Sequence, residues 1–314
     1  MFTFAQLSDP HLPLPPPRWS ELLSKRATGW LSWTRKRRFI HRPEALGAVV
    51  TDLRARAPDL TVVTGDIANI STPAEYDQAA RWLSGLGAPR DVMAIPGNHD
   101  LYVKPRAHGR PDGWAPFLAG DPAASAGPAD PVFGVGFPTV RRRGGVAFVG
   151  LSTAVPKPAF IATGTLGAAQ IERFEVVMRE LAAEGACRVV LIHHPPQIGG
   201  ASWRKELTDA GAFRLAVGRV GAELVLHGHN HRASLARIDT PAGPVAVLGA
   251  PSASAAPGSR YGAGGYHLVG VERVARGWRF DVDLRVIADD LAGCVSGRRF
   301  DLVAPAATPA AMAA

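Results

Sequence analysis

Seven of the ten histidines in this 314-residue chain fall into a few short polar clusters, with aspartates and an asparagine beside them. The clusters are Asp9-Pro10-His11, Gly65-Asp66, Gly97-Asn98-His99-Asp100, His193-His194-Pro195 and His227-Gly228-His229-Asn230-His231. A lone buried histidine is more often a hydrogen-bonded core residue than a ligand. Five clusters, each offering His, Asp or Asn, are harder to explain that way. Burying so much unpaired polarity in one place costs several kcal/mol per group unless something neutralises it. Bound cations would do so, and mixed imidazole and carboxylate donors suit Mn, Fe, Zn, Co or Ni better than Ca.

The elements that must position these residues are legible in the same places. Each cluster ends a short run of aliphatic and β-branched residues: Phe2–Leu7, Leu60–Thr64, Val92–Ile95, Val189–Ile192 and Leu224–Leu226. Such runs without alternation read as strands buried on both faces. Helical spacing follows at Pro43–Ala57, Ala74–Leu86 and Ala168–Glu184, and less clearly at Asp209–Val220. Strand, polar loop and helix in repetition predict an α/β fold with the clusters outside the carboxyl ends of the strands, where ligands collect in such folds. Later strands are expected at Val245–Leu248, Tyr266–Glu272 and Trp278–Val286. Ala119–Pro131 and Pro251–Gly265 read as long loops, the second at the mouth of the site. The expected organisation is one domain over residues 1–302 with an insertion at 18–42, then a disordered Ala/Pro tail over 303–314.

In their order, Asp-x-His, Gly-Asp, Gly-Asn-His-Asp, His-His-Pro and Gly-His-Asn-His resemble the five motifs of the calcineurin-like metallophosphoesterase superfamily, over residues 9 to 231. The resemblance implies a sandwich of two β-sheets flanked by helices, an αββα architecture, and a binuclear metal site. It implies that Asp9, His11 and His231 hold one metal and Asn98, His193 and His229 the other, with Asp66 bridging. His194 and His227 are expected to support the ligands by hydrogen bonds. So is Asn69, which stands where many cyclic-nucleotide members have Asp. The implied nucleophile is a hydroxide shared by two cations about 4 Å apart, attacking phosphorus in line. His99 would give the leaving group its proton, and Asp100 would either fix the His99 tautomer or cap a turn.

Charge separates one segment from this body. The chain has 35 Lys+Arg against 27 Asp+Glu, a formal +8. Eight basic residues and one acid lie between Arg18 and Arg42, so that stretch holds +7 and the other 289 residues only +1. A nearly neutral body with one basic segment argues against general nucleic-acid binding. Trp19, Leu22, Leu23, Ala27, Trp30 and Leu31 fall at helical spacing there, with Gly29 suggesting two short helices and a bend. Three readings stay open: a surface helix packed on the body, an interfacial helix on anionic lipid, or a basic clamp for a polyanion. Trp30, Trp33, Arg35, Arg37 and Arg38 are the candidate substrate or membrane contacts.

Two cysteines, Cys187 and Cys294, cannot form a disulfide framework, and no secretory signal or run of about 18 apolar residues is visible. A cytoplasmic protein is expected, with possible peripheral contact at the inner face of the membrane. The function expected is a phosphodiesterase with two ions of Mn, Fe or Zn, acting on a phosphorylated small molecule. The alternative is a membrane-surface pyrophosphatase of a nucleotide-linked lipid. A non-catalytic scaffold is disfavoured because every ligand position is filled.

Overall fold

The computed structural model describes residues 1–104, 110–121 and 128–305. Its elements run β1 (Phe2–Leu7), α1 (Trp19–Leu22), α2 (Arg26–Arg35), α3 (Pro43–Arg56), β2 (Leu60–Val63), α4 (Pro73–Leu86), β3 (Val92–Ala94) and α5 (Ala115–Leu118). Then come β4 (Thr139–Arg143), β5 (Val146–Gly150), α6 (Ala168–Ala183), β6 (Cys187–Leu191), α7 (Ala210–Val220) and β7 (Leu224–His227). The described residues finish with β8 (Ser234–Ile238), β9 (Val245–Gly249), β10 (Gly265–Val274), β11 (Gly277–Ile287) and β12 (Cys294–Pro305).

Among the described residues the strands form two six-stranded sheets, ordered β12-β11-β10-β1-β2-β3 and β4-β5-β6-β7-β9-β8. β1, β2 and β3 are parallel, as are β5, β6, β7 and β9. The unbroken apolar runs have their cause in the packing. Phe4, Leu60, Val62 and Met93 of the first sheet meet Phe148, Val189, Leu191 and Leu226 of the second between the sheets. Their neighbours Ala5, Leu7 and Val63 point outward to residues of α3 and α4, and Val190 and Val225 to α6 and α7. Both faces of the central strands are therefore buried, as period-free runs require. This is the expected sandwich of two sheets flanked by helices.

Four strands escaped the sequence reading. β4 and β5 form a hairpin across Gly144 and Gly145, and β8 sits at a sheet edge with alternating burial. β12 pairs with β11 as far as Gly277↔Pro305, so the first three residues of the expected tail are strand. Its arginines, Arg298 and Arg299, masked an edge strand that needs only one apolar face. Residues 306–314 of that tail, and 122–127 of the Ala119–Pro131 loop, lie outside the described residues. Among the described residues, no helix is long and apolar enough to cross a membrane.

The basic insertion is two short helices, as expected, but the break is at Leu23–Lys25 rather than at Gly29. Gly29 lies inside α2, where a Cβ would run into Ile70 and press on the Tyr102 ring. Glycine is needed there for close approach to the loop after β2, not for a bend.

Candidate metal centre

The polar clusters meet because every parallel strand that carries one ends at the same edge of its sheet. The turns after these strands are sharp. Asp9, His11, Asp66, His229 and His231 all have left-handed backbones, with φ of 49°, 37°, 58°, 68° and 59°. Such conformations cost about 1–3 kcal/mol each for non-glycine residues and persist only where the surroundings over-determine them. Here the loops tie one another down: Asp9 N–H donates to the Gly65 carbonyl at 2.9 Å, His11 N–H to Asp66 at 3.1 Å, and His229 N–H to Asp9 Oδ2 at 2.9 Å. Glycines permit the crowding. A Cβ on Gly97 would strike the Asp66 carboxylate, and one on Gly228 the Ser8 hydroxyl.

Asp66 stands at the centre. Its Oδ1 accepts the His99 N–H at 2.7 Å, which leaves Oδ2 3.4 Å from His193 Nε2 and 3.9 Å from His11 Nε2. Two sets of ligand atoms close around it: Asp9, His11, Asp66 and His231 on one side, and Asp66, His193 and His229 on the other, each within 4.8 Å. Asn98 Oδ1 lies 3.3 Å from His193 Nε2, on the second side. All seven residues expected as ligands are thus brought together.

The rings are oriented from behind. His11 Nδ1–H donates to the Ala68 carbonyl at 3.2 Å and His193 Nδ1–H to Thr64 at 2.6 Å, which turns each Nε2 inward. Buried Asp9 Oδ1 and His229 Nε2 have no hydrogen-bond partner among the described residues. Orphaned donor atoms of this kind, in a set of imidazoles, carboxylates and one amide, fit two borderline cations. The electrostatics agree. Burial lowers the His193 pKa, but the charge and hydrogen bond of Asp66, with Asp9 and the Thr64 carbonyl added, outweigh it together and hold the ring up at about 9. A cation binding there would displace that proton.

The supporting residues divide differently from expectation. His194 has both ring nitrogens engaged away from the cluster, with Thr153 Oγ1 at 2.7 Å and the Ala162 carbonyl at 3.1 Å. His227 donates Nδ1–H to the Gly228 carbonyl at 2.9 Å and forms part of the wall beside Gly249. Asp100 does not turn toward His99. Its carboxylate accepts backbone N–H groups from Asp66, Ala68 and Gly97, each at 2.8 Å, so of the two roles expected of it the geometry matches the fastening of turns. Burial, with the Asp66 charge added, pushes its pKa up to about 8. The His99 tautomer is fixed instead by the backbone carbonyl of Asn69, which accepts Nδ1–H at 2.6 Å. The Asn69 side chain donates to the Leu12 carbonyl at 2.7 Å and holds its own loop.

The insertion reaches the centre. Arg37 places one guanidinium nitrogen 2.8 Å from His11 Nε2 and another 2.9 Å from His99 Nε2. Arg35 and Arg38 remain exposed, and Trp30 is 37 % exposed. Trp33 is buried in the body of the protein, which removes it from the candidate surface contacts. The sequence reading missed His41, whose ring lies 4.5 Å from that of His11 and 5.1 Å from that of His231, with Nδ1 3.0 Å from Ser254 Oγ. The available signal was position: His41 ends the insertion just before the α3 proline, where the chain must return to the strand edge.

A two-sheet sandwich whose strand ends gather this donor set defines a class, that of α/β proteins with a candidate two-metal centre. The calcineurin-like phosphoesterase family matches residues 2–233, and the chain belongs to it. It is 27 % identical over 189 residues to a probable cyclic nucleotide phosphodiesterase of Synechococcus sp., a match covering 59 % of this chain and 63 % of that relative's length. The fold is similar to that of a dimetal phosphatase from Danio rerio, with a TM-score of 0.63 and 12 % identity over 98 % of this chain and 99 % of that one.

Proposed function

We propose that the protein is a metal-dependent phosphoric ester hydrolase, and within that class a phosphodiesterase. The observation that carries this reading is Asp66, one carboxylate shared by two sets of ligand atoms. Asp9, His11 and His231 would hold one cation and Asn98, His193 and His229 the other. Mn, Fe and Zn all suit these donors. When bound, such a pair supplies Lewis acidity and an activated water.

The chain's own residues do the rest. The two terminal nitrogens of Arg37 lie against the His11 and His99 rings. With His11 Nε2 given over to a cation, the guanidinium would turn toward a bound phosphate, whose oxygens it can pair two at a time. Burial lowers the His99 pKa to about 3, with the Arg37 charge as the next cause. A phosphate entering beside Arg37 would offset that charge and raise the pKa of His99, whose Nε2 would take a proton from solvent and pass it to the departing alkoxide. Family membership and the cyanobacterial relative support the same reading. Purified protein supplied with Mn²⁺ should hydrolyse bis(p-nitrophenyl) phosphate, lose turnover on chelation and regain it when metal is restored. No turnover with Mn²⁺, Fe²⁺ or Zn²⁺ would overturn the proposal.

A second reading, action on a lipid-linked phosphoester at a membrane surface, is favoured by the outer face of the insertion. Trp19 and Leu23 are 87 % and 88 % exposed there, and Phe39 is also exposed, near Arg35 and Arg38. Exposed Trp, Leu and Phe beside arginines are what an interfacial element needs. Vesicles containing phosphatidylglycerol should carry the protein upward on flotation, and a Trp19→Ser/Leu23→Ser protein should remain below. Absence of flotation by the parent protein rejects this reading.

A further inference from the structure

A cavity of about 310 Å³ opens beside the metal centre, between the insertion and the loops that follow β5 and β6. Asn98 and His99 form the wall that it shares with the centre. Four cationic side chains line it: Lys25, Arg37, Lys157 and Lys205. Among the described residues no carboxylate does. Four like charges around one small space repel each other; Asp66 and Asp9 act on Arg37 from the side of the centre, whereas the three lysines meet no carboxylate in the described lining.

The cavity is built rather than incidental. Lys25 Nζ donates to the Lys157 carbonyl at 2.7 Å and to the Tyr102 carbonyl at 3.2 Å, which joins the insertion to the loops after β5 and β3. The same ammonium lies 3.8 Å above the Tyr102 ring, and that ring stacks on His99 at 5.5 Å with an interplanar angle of 8°. Burial draws the Lys25 pKa down to about 8, so an arriving anion would favour its charged form. The cavity lies on the His99 side of the centre, where the leaving group departs in the reading above, on which this inference rests.

We propose that this cavity is a leaving-group subsite for a second phosphate. The substrate class is then a phosphoester whose leaving group is itself phosphorylated. Arg37 holds the phosphoryl group under attack, while Lys25, Lys157 and Lys205 hold the second phosphate. A diphosphate linkage and a phosphorylated alcohol share this chemistry, and they differ in the distance between the two phosphorus atoms.

Binding to the Mn²⁺-loaded protein, measured by calorimetry in the first injections, tests the proposal by a readout other than turnover. AMP offers one phosphate, ADP two in a diphosphate, and adenosine 3′,5′-bisphosphate two separated by the sugar. At least one of the doubly phosphorylated ligands should bind about tenfold more tightly than AMP, an advantage of the size expected from charge-assisted hydrogen bonds to one extra phosphate. Which of the two does so identifies the spacing. In a Lys157→Ala/Lys205→Ala protein that ratio should fall toward one, and Lys205→Glu, a change at an exposed position, should lower it further than Lys205→Ala. A ratio near one in the parent protein overturns the proposal, as does a ratio that survives these substitutions. Failure of the aryl phosphodiester assay would instead strike the phosphodiesterase reading, because the binding ratio is read independently of it.

Discussion

An Asp66→Ala protein should hold half or less of the metal bound by the parent and should hydrolyse phosphodiesters at close to the background rate. Enzymes of this kind supply rate enhancements of about 10⁶ or more, so a loss of at least about 10⁴-fold is expected when the shared ligand goes. Asp66 belongs to both candidate ligand sets, and its Oδ2 is the atom turned toward both His11 and His193. Its removal leaves His11, His193 and His229 facing one another without the negative charge at the centre. The Oδ1 atom has a separate duty, accepting the His99 N–H at 2.7 Å. Asp66→Asn preserves an acceptor for that bond while discarding the charge, so it separates loss of metal from collapse of the loop. Metal analysis by atomic emission, alongside turnover of bis(p-nitrophenyl) phosphate, reads both. Full metal content and unimpaired turnover in Asp66→Ala would remove Asp66 from its proposed place.

His99→Ala should give the opposite pattern, with metal content retained and kcat lowered. The ring is positioned by the Asn69 carbonyl through Nδ1 and presents Nε2 to Arg37. It contributes no atom to the candidate ligand sets. Loss of a positioned general acid costs about 10²- to 10⁴-fold. The size of the effect should depend on the leaving group. An alkyl phosphodiester, whose alkoxide needs a proton, should suffer the full loss, whereas p-nitrophenolate leaves without one and should suffer much less. Equal losses for both substrates would assign His99 a structural role, and no loss for either would remove it from the mechanism.

The centre was more legible than the frame that holds it. Asp9, His11, Asp66, Asn98, His193, His229 and His231 announced themselves because metal-capable residues directly after apolar runs violate the usual economy of burial. β12 did not, because an edge strand carrying Arg298 and Arg299 violates nothing and satisfies no strong pattern. Asp100 shows a different limit. Its place beside His99 suits either fixing that ring's tautomer or capping a turn, and the choice lies with three backbone N–H groups that claim its carboxylate and leave no trace in a sequence. His41 was hidden for a third reason, which also left Arg37 as one candidate contact among several. Their segment carries a charge excess that directs attention to surfaces, while the path that brings two of its side chains inward depends on how the helices break. The break at Leu23–Lys25, and the close packing that Gly29 permits, set that path.

That path has a consequence for how the molecule can be taken apart. Arg26 donates to the Ile70 and Ser71 carbonyls after β2, Lys25 reaches the Lys157 carbonyl after β5, and Arg42 N–H donates to the Ser254 carbonyl after β9. The segment therefore straddles loops of both sheets, as a keystone rests on two sides of an arch. Trimming residues 18–42 to obtain a minimal domain would strip away Arg37 and His41 and uncouple loops that carry ligands from either sheet. Any interaction of its outer face has to be dissected by surface substitutions, since this segment is not a detachable module.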